Sequence, residues 1–310
     1  MEPKVDPIFQ QTCSQAVPAT SDAVLAVVVL YNRAFESVPC AQRLMQWLGL
    51  PDAASDRLKL AHCLVYDNSP VVQPVPGLRK NKRMHVVHDA SNGGTRAAYL
   101  HALQLAQAQG CPWILFLDHD TELPADFLKD AGKALDDTVP DTPVGAVVPL
   151  VFDNGVQISP SRITAYGRVL VPRGEPVAAH ASGILTAISS ASMVSAKSLA
   201  AVLPIPAAFS LDYLDHWLFR ELQRQAVPVA VSSARVVHSL SVQSMKSMGV
   251  QRYQSILAAE LAFLRGDPGY SRFRHLLWHA GRTVKLALLT RRPALVGACN
   301  RAALEIVRAP

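Results

Sequence analysis

The sequence predicts an α/β fold: a mostly parallel, Rossmann-like sheet with helices on both faces, followed by a C-terminal helical extension. Three observations point there. Apolar runs of strand length recur as AVLAVVVLY at 23–31, LAHCLVYD at 60–67 and WILFLD at 113–118. Their unbroken, partly β-branched hydrophobicity suits strands covered on both faces. Helical patterns lie between them, and such alternation gives parallel strands joined by right-handed crossovers.

Each element follows in order. Residues 1–20 read as a tail; they carry acids and have no apolar stretch of the kind a secretory signal needs. The first strand is followed by the helical CAQRLMQWLG, with Gly49 as its stop. The second strand ends in a turn of Asp, Asn, Ser and Pro, and KRMHVVHD is a short third strand. SNGGTRAAYLHALQLAQAQG begins polar and Gly-rich, continues as an Ala/Leu helix and stops at Gly110. WILFLDHD is the fourth strand, DFLKDAGKALDD a helix and VGAVVPLVF a strand. Residues 151–185 are rich in Gly, Pro and Ser and read as irregular strands and loops. LDYLDHWLFRELQRQ at 211–225 is helical, and VPVAVSSARVVHSLS is a strand ending at His238.

Composition excludes several classes. Half of the 310 residues are hydrophobic, which excludes a disordered chain. No apolar run reaches the roughly 18 residues of a membrane span. The five cysteines form no CxxC, so neither a zinc site nor a disulfide framework is expected, and a cytoplasmic setting with reduced thiols fits. The net charge of +6 is uneven. Residues 265–308 hold nine Arg or Lys against two acids, so the basicity belongs to the C-terminal region. Taken as a helix, residues 272–288 place Phe273, Leu276, Leu277, Ala280, Val284, Ala287 and Leu288 on one face. Arg274, His275, Arg282 and Lys285 fall opposite. Such a helix suits an anionic membrane surface, packing on the main domain, or a second subunit in a homo-oligomer. Nucleic acid is not an expected partner.

Ligands of open α/β sheets bind outside the carboxyl ends of the strands. Tyr31–Asn32, Asp67–Asn68, Asn92–Gly94 and Asp118–Asp120 all sit at those ends or just after them, so one crevice should collect them. Asp118–His119–Asp120 places two hard oxygen ligands at a sheet edge, which suits Mg²⁺ or Mn²⁺ shared with substrate phosphates. A solvated turn whose acids cap the next helix would carry the same residues.

The ordered set of motifs resembles glycosyltransferase family 2, with the fold called GT-A, and within it the rhamnosyltransferase-like branch. VVVLYNR resembles the opening strand and nucleotide-binding loop, VYDNSP the base-binding second strand end, and SNGG the Asn–X–Gly loop. GCPWILFLDHD resembles the stretch bearing the Asp–X–Asp motif, ISSASMVS the acceptor-side Ser–Gly–Ser segment, FSLDYLDHWLFREL the acidic helix start, and ARVVHSLS the strand whose His completes a metal site. Two positions depart from the pattern: Leu100 stands for a second Asn, and Ala191 for the middle Gly.

The resemblance implies an inverting, metal-dependent transfer of a sugar, rhamnose favoured, from a nucleotide-diphosphate donor to a saccharide or lipid-linked saccharide. The donor would be dTDP-rhamnose or a UDP-sugar, bound by Tyr31, Asn32, Asp67, Asn92, Gly94 and Asp118. Asp120 and His238 would hold Mg²⁺ or Mn²⁺, and Asp215 would be the general base, with Asp212 and His216 as alternatives. The implied organisation is a tail (1–20), a catalytic domain (21–245, divided at 122/123 into nucleotide-sugar and acceptor halves) and a basic C-terminal region (246–310). The expected location is cytoplasmic, at the inner face of the cytoplasmic membrane. A non-catalytic sugar- or nucleotide-binding protein of the same fold is the alternative. A haloacid-dehalogenase-like phosphatase fits less well, because its Asp–X–Asp motif follows the first strand.

Overall fold

A computed structural model describes residues 23–49, 57–75, 81–138, 143–163, 169–170, 184–238, 248–290 and 292–308. The expected tail at 1–20, Cys13 and Arg291 lie outside the described residues. The first half runs β1 (Ala23–Leu30), α1 (Ala41–Gly49), β2 (Lys59–Asp67), β3 (Met84–His88), α2 (Gly94–Gln109), β4 (Trp113–Asp118), β5 (Thr121–Glu122) and α3 (Phe127–Asp136). Then come β6 (Ala146–Asp153), β7 (Val156–Ser159), β8 (Ser161–Ile163), β9 (Val169–Leu170), β10 (Ile184–Thr186), β11 (Met193–Ser195) and α4 (Ala196–Ala201). α5 (Leu214–Arg224), β12 (Val229–His238), α6 (Val250–Arg265), α7 (Arg272–Thr290) and α8 (Pro293–Arg308) complete the chain.

The main sheet has the order β3-β2-β1-β4-β11-β6-β12-β5, with β7 beside β6. β1 pairs in parallel with β2 and β4, β2 with β3, and β6 with β12. The expected parallel sheet is interrupted in the middle, where β11 runs antiparallel to both β4 and β6. β8, β9 and β10 form a separate three-stranded antiparallel sheet.

Alternation explains the layers. Leu25 and Val27 of β1 join one buried cluster with α2, α4, α5 and α6. Val24, Ala26, Val28 and Leu30 point the other way, into a cluster with α1 and α3. All six are fully buried, and burying each Val or Leu contributes about 1.5–3 kcal/mol. β1 is therefore central because neither of its faces could be left in water. α2 ends as expected at Gly110, whose left-handed φ of 66° lets its amide reach the Ala106 and Gln107 carbonyls. The four described cysteines, Cys40, Cys63, Cys111 and Cys299, are free and buried.

α6 belongs to the main core through Ala259, Phe263 and Leu264. Tyr253, Leu257, Leu286, Leu295, Ala298, Cys299 and Ala302 tie α6, α7 and α8 into a small core of their own. No described helix is long and apolar enough to cross a membrane. The sequence left open whether the apolar face of α7 packs inward. It does not: Phe273, Leu277, Val284 and Leu288 are exposed, and α7 buries His275, His279 and Leu286 instead. The reason is a buried polar network, whose partners outweigh the pull of the aliphatic face.

Candidate active site

The carboxyl ends of β1, β2, β4 and β12 and the start of α2 enclose a cavity of about 450 Å³. Its walls include Tyr31 after β1, Asn68 after β2, Asn92 and Gly94 at α2, and Asp118, His119 and Asp120 after β4. His238 ends β12, and Arg252 reaches in from α6. Six of the sequence-predicted residues thus meet in one place: Tyr31, Asn92, Gly94, Asp118, Asp120 and His238.

The cluster at its centre is acidic. One ligand atom each from Asp118, Asp120 and His238 lies within 4.8 Å of the others. His238 Nδ1 faces Asp120 Oδ1 at 3.2 Å, yet both atoms are buried without an aligned hydrogen-bond partner. Burial by itself pushes the Asp118 carboxyl up, and the Asp215 and Asp120 charges add to that, with His238 opposing. His238 is lowered by burial and raised further by Asp120, Asp118 and Asp215, so its net shift is upward. Burial raises Asp120, but the His238 and His119 imidazoles outweigh it and hold this carboxyl low. Two carboxylates and an imidazole with orphaned buried atoms form a donor set that fits Mg²⁺ or Mn²⁺, which would satisfy both atoms at once.

Three predicted residues are not on the cavity wall. Asn32 has φ 52°, and its amide donates to Ser69 Oγ at 2.7 Å. Asp67 is fully buried, and its two oxygens accept from the Ser69 and Gln73 amides at 3.0 and 2.7 Å. Asp67 therefore shapes the 67–73 turn, while its neighbour Asn68 turns to the cavity with an unpartnered buried Oδ1. Asp215 sits in the first turn of α5, hydrogen-bonded by the side chain and backbone of Ser189, near enough to Asp118 and His238 to feel their charges. Burial raises its carboxyl above the usual carboxylate range.

Gly94 answers a local demand. Its φ is 77°, and an added Cβ would lie 2.6 Å from the Ser210 carbonyl oxygen. The same oxygen accepts from the Arg96 amide at 2.9 Å. Close backbone packing between the start of α2 and the loop that leads into α5 therefore requires the glycine.

Asp212 and Asp215, three residues apart, do not share a helix face, although the sequence predicts a helix throughout 211–225. α5 begins only at Leu214, because Tyr213 takes a left-handed φ of 59°. Asp212 turns away and pairs with Arg252 at 2.7 Å. Burial raises its carboxyl, and Arg252 offsets part of that rise. His216 bonds Thr186 Oγ1 at 2.7 Å and is pushed down to about 4 by burial.

Asn68 reaches the wall, as expected of the Asp67–Asn68 cluster, whereas sequence reasoning missed Arg252 and Thr95 on the wall and Ser189 beneath Asp215. Ser189 alone had a signal, since it lies in the ISSASMVS segment. Ser190, one place on, accepts from the Asp118 amide at 3.1 Å and also contacts Thr121 Oγ1. That segment holds the Asp–X–Asp turn in place.

The model of the family described as "Glycosyl transferase family 2" matches residues 27–201. The chain belongs to this family. It shares its fold with GalNAc-T7, solved with UDP, GalNAc and Mn²⁺. The TM-score is 0.57 at 10% identity, over 83% of this chain and 50% of that one. S. aureus TarS aligns with a TM-score of 0.46 at 13% identity, over 87% of this chain and 44% of its own. The chain thus spans about half the length of these solved chains. Among curated proteins no sequence matches it.

Proposed function

We propose that this glycosyltransferase moves a sugar, with inversion, from a nucleoside-diphosphate donor to the hydroxyl of a saccharide or lipid-linked saccharide. The observation that carries the proposal is the Asp118–Asp120–His238 cluster, which opens into a cavity at the strand ends. Two carboxylates facing a diphosphate would repel it, and a divalent cation bound there would supply the opposing charge. Asp120 and His238 are its proposed ligands, with Asp118 beside them. Gly94 and Thr95, in the first turn of α2, line the cavity and would offer backbone amides and the helix dipole to an anion, with Asn92 beside them; the Asn92 amide itself donates to the Asp89 carbonyl at 3.0 Å. Tyr31, Asn68, Asn32 and Asp67 form or shape the wall for the nucleoside. Asp215 is the proposed base: its raised proton affinity suits it to take the acceptor hydroxyl proton, and Ser189 fixes its orientation. dTDP-rhamnose is the favoured donor on the sequence resemblance. UDP-sugars and Mn²⁺ are the alternatives that the GalNAc-T7 complex recommends for testing. The division at 245/246 and the cytoplasmic setting belong to the same proposal.

Calorimetry with dTDP, UDP and GDP, with and without Mn²⁺, tests it on wild type and Asp120→Ala. The expected result is metal-dependent binding of one nucleotide, weakened at least tenfold in the variant. A folded protein that binds none of them would refute the donor assignment.

A further inference from the structure

α7 is built inside out. Its buried residues are His275, His279 and Leu286, and Arg282 also turns inward. Arg282 donates to both oxygens of Glu260 in α6, at 2.6 and 3.0 Å. His279 contacts the Cys299 carbonyl of α8 at 2.8 Å. Polar groups dock this helix, and its aliphatic residues are left outward: Phe273 is 69% exposed, Leu277 59%, Val284 58% and Leu288 75%. At about 100° per residue these four lie within a narrow stripe. Arg272 donates to the Val307 carbonyl at 3.3 Å, which brings the exposed Val307 of α8 to the same end as Phe273.

Charge selects the occupant. No Asp or Glu occurs between residues 268 and 304. Arg274 and Lys285, both exposed, lie along one edge of the stripe. A second copy meeting this face about a two-fold axis would bring the basic residues of two α7 helices together, and α7 carries no acid of its own to offset them. An anionic bilayer supplies the opposite charge and a place for the apolar stripe. The helix lies on such a surface, since it is not apolar enough to cross one.

We propose that α7 is a membrane-docking helix that beds Phe273, Leu277, Val284 and Leu288 into an anionic bilayer surface, with Lys285 and Arg274 at the headgroups. The test is co-sedimentation of the full chain with phosphatidylcholine vesicles, with and without about one-third phosphatidylglycerol. It reads no turnover, so its outcome is separate from the donor and base assignments. Binding should require the anionic lipid, weaken with added salt, and fall roughly tenfold or more in Leu277→Glu/Leu288→Glu. Lys285→Glu should weaken it less. An unchanged melting temperature and unchanged nucleotide binding show that the variants fold. Absence of wild-type binding, or equal binding by the double variant, overturns the proposal. So does a wild-type dimer in light scattering that the double variant dissociates, because that assigns the stripe to a second copy.

Discussion

Asp215 and Ala191 show how single side chains answer to their surroundings. Asp215 is raised chiefly by burial, with Ser189 opposing the rise. A base of this kind gives a rate that falls on the acid side above the ordinary carboxylate range. Asp215→Asn should lower kcat at least about 100-fold while donor binding by calorimetry stays intact. Turnover that survives the change would move the base elsewhere. Ala191 stands where the resembling family has Gly, and its φ is 64°. A left-handed alanine costs about 1–2 kcal/mol, but this one is fully buried, and losing its methyl costs about 0.8 kcal/mol. The two effects oppose each other. Ala191→Gly is expected to change stability by less than about 1 kcal/mol in urea unfolding. A larger loss would show that the methyl's packing dominates.

At the scale of elements, the start of α5 is held from the C-terminal side. Tyr213, the left-handed residue that turns the chain into α5, donates to Glu260 of α6 at 3.1 Å. Glu260 also binds Arg282 and lies 3.4 Å from His275. Glu260, His275 and His279 bring their ligand atoms together much as a metal site would. The Arg282 guanidinium already supplies the cation at that carboxylate, so the cluster reads as a brace. Glu260→Gln would leave Arg282 without its counter-charge. The expected cost is about 3 kcal/mol, at the low end for a buried pair because Arg282 is 23% exposed. Glu260→Gln/Arg282→Met should recover part of it in the same denaturation experiment. If the single variant were as stable as wild type, the brace would contribute nothing. Helix order and most boundaries were legible in the sequence, because periodicity and glycine stops are local signals. The brace was not, because its members are spread over residues 213–282 and nothing local marks Glu260.

For the whole molecule, proton binding links stability to pH. His62 is pushed down to about 4 by burial, with the neighbouring His85 adding to it, and His85 itself is lowered by burial. His216 is likewise held at about 4. The unfolded chain would protonate these imidazoles near pH 6.5. Their stabilisation is therefore complete above that pH and is lost as pH falls towards 4. His238 acts in the opposite sense, since its proton affinity is raised. His119 and His279 are lowered as well, while Asp118, Asp212 and Asp215 are raised and, like His238, oppose the lowered imidazoles as pH falls. The contribution of His216 is separable: between pH 7 and 5 the wild-type melting temperature should fall relative to that of His216→Asn, and parallel profiles for the two would contradict the assignment.

The sequence by itself determined the α/β architecture, the family, and six residues that line the cavity. Unbroken strands, glycine stops and polar strand ends each depend on neighbours in the chain, and the parallel topology then gathers the strand ends at one edge. Tertiary structure alone decided the rest. It made Asp67 a shaper of its turn and gave Asn68 the cavity. It separated Asp212 from Asp215 by a left-handed Tyr213. It brought Arg252 across from α6 and turned the apolar face of α7 outward. Asp67 met Ser69 and Gln73, Asp212 met Arg252 40 residues on, and Arg282 met Glu260 22 residues back; which buried polar group finds which partner is decided by packing, which a pattern along the chain does not record.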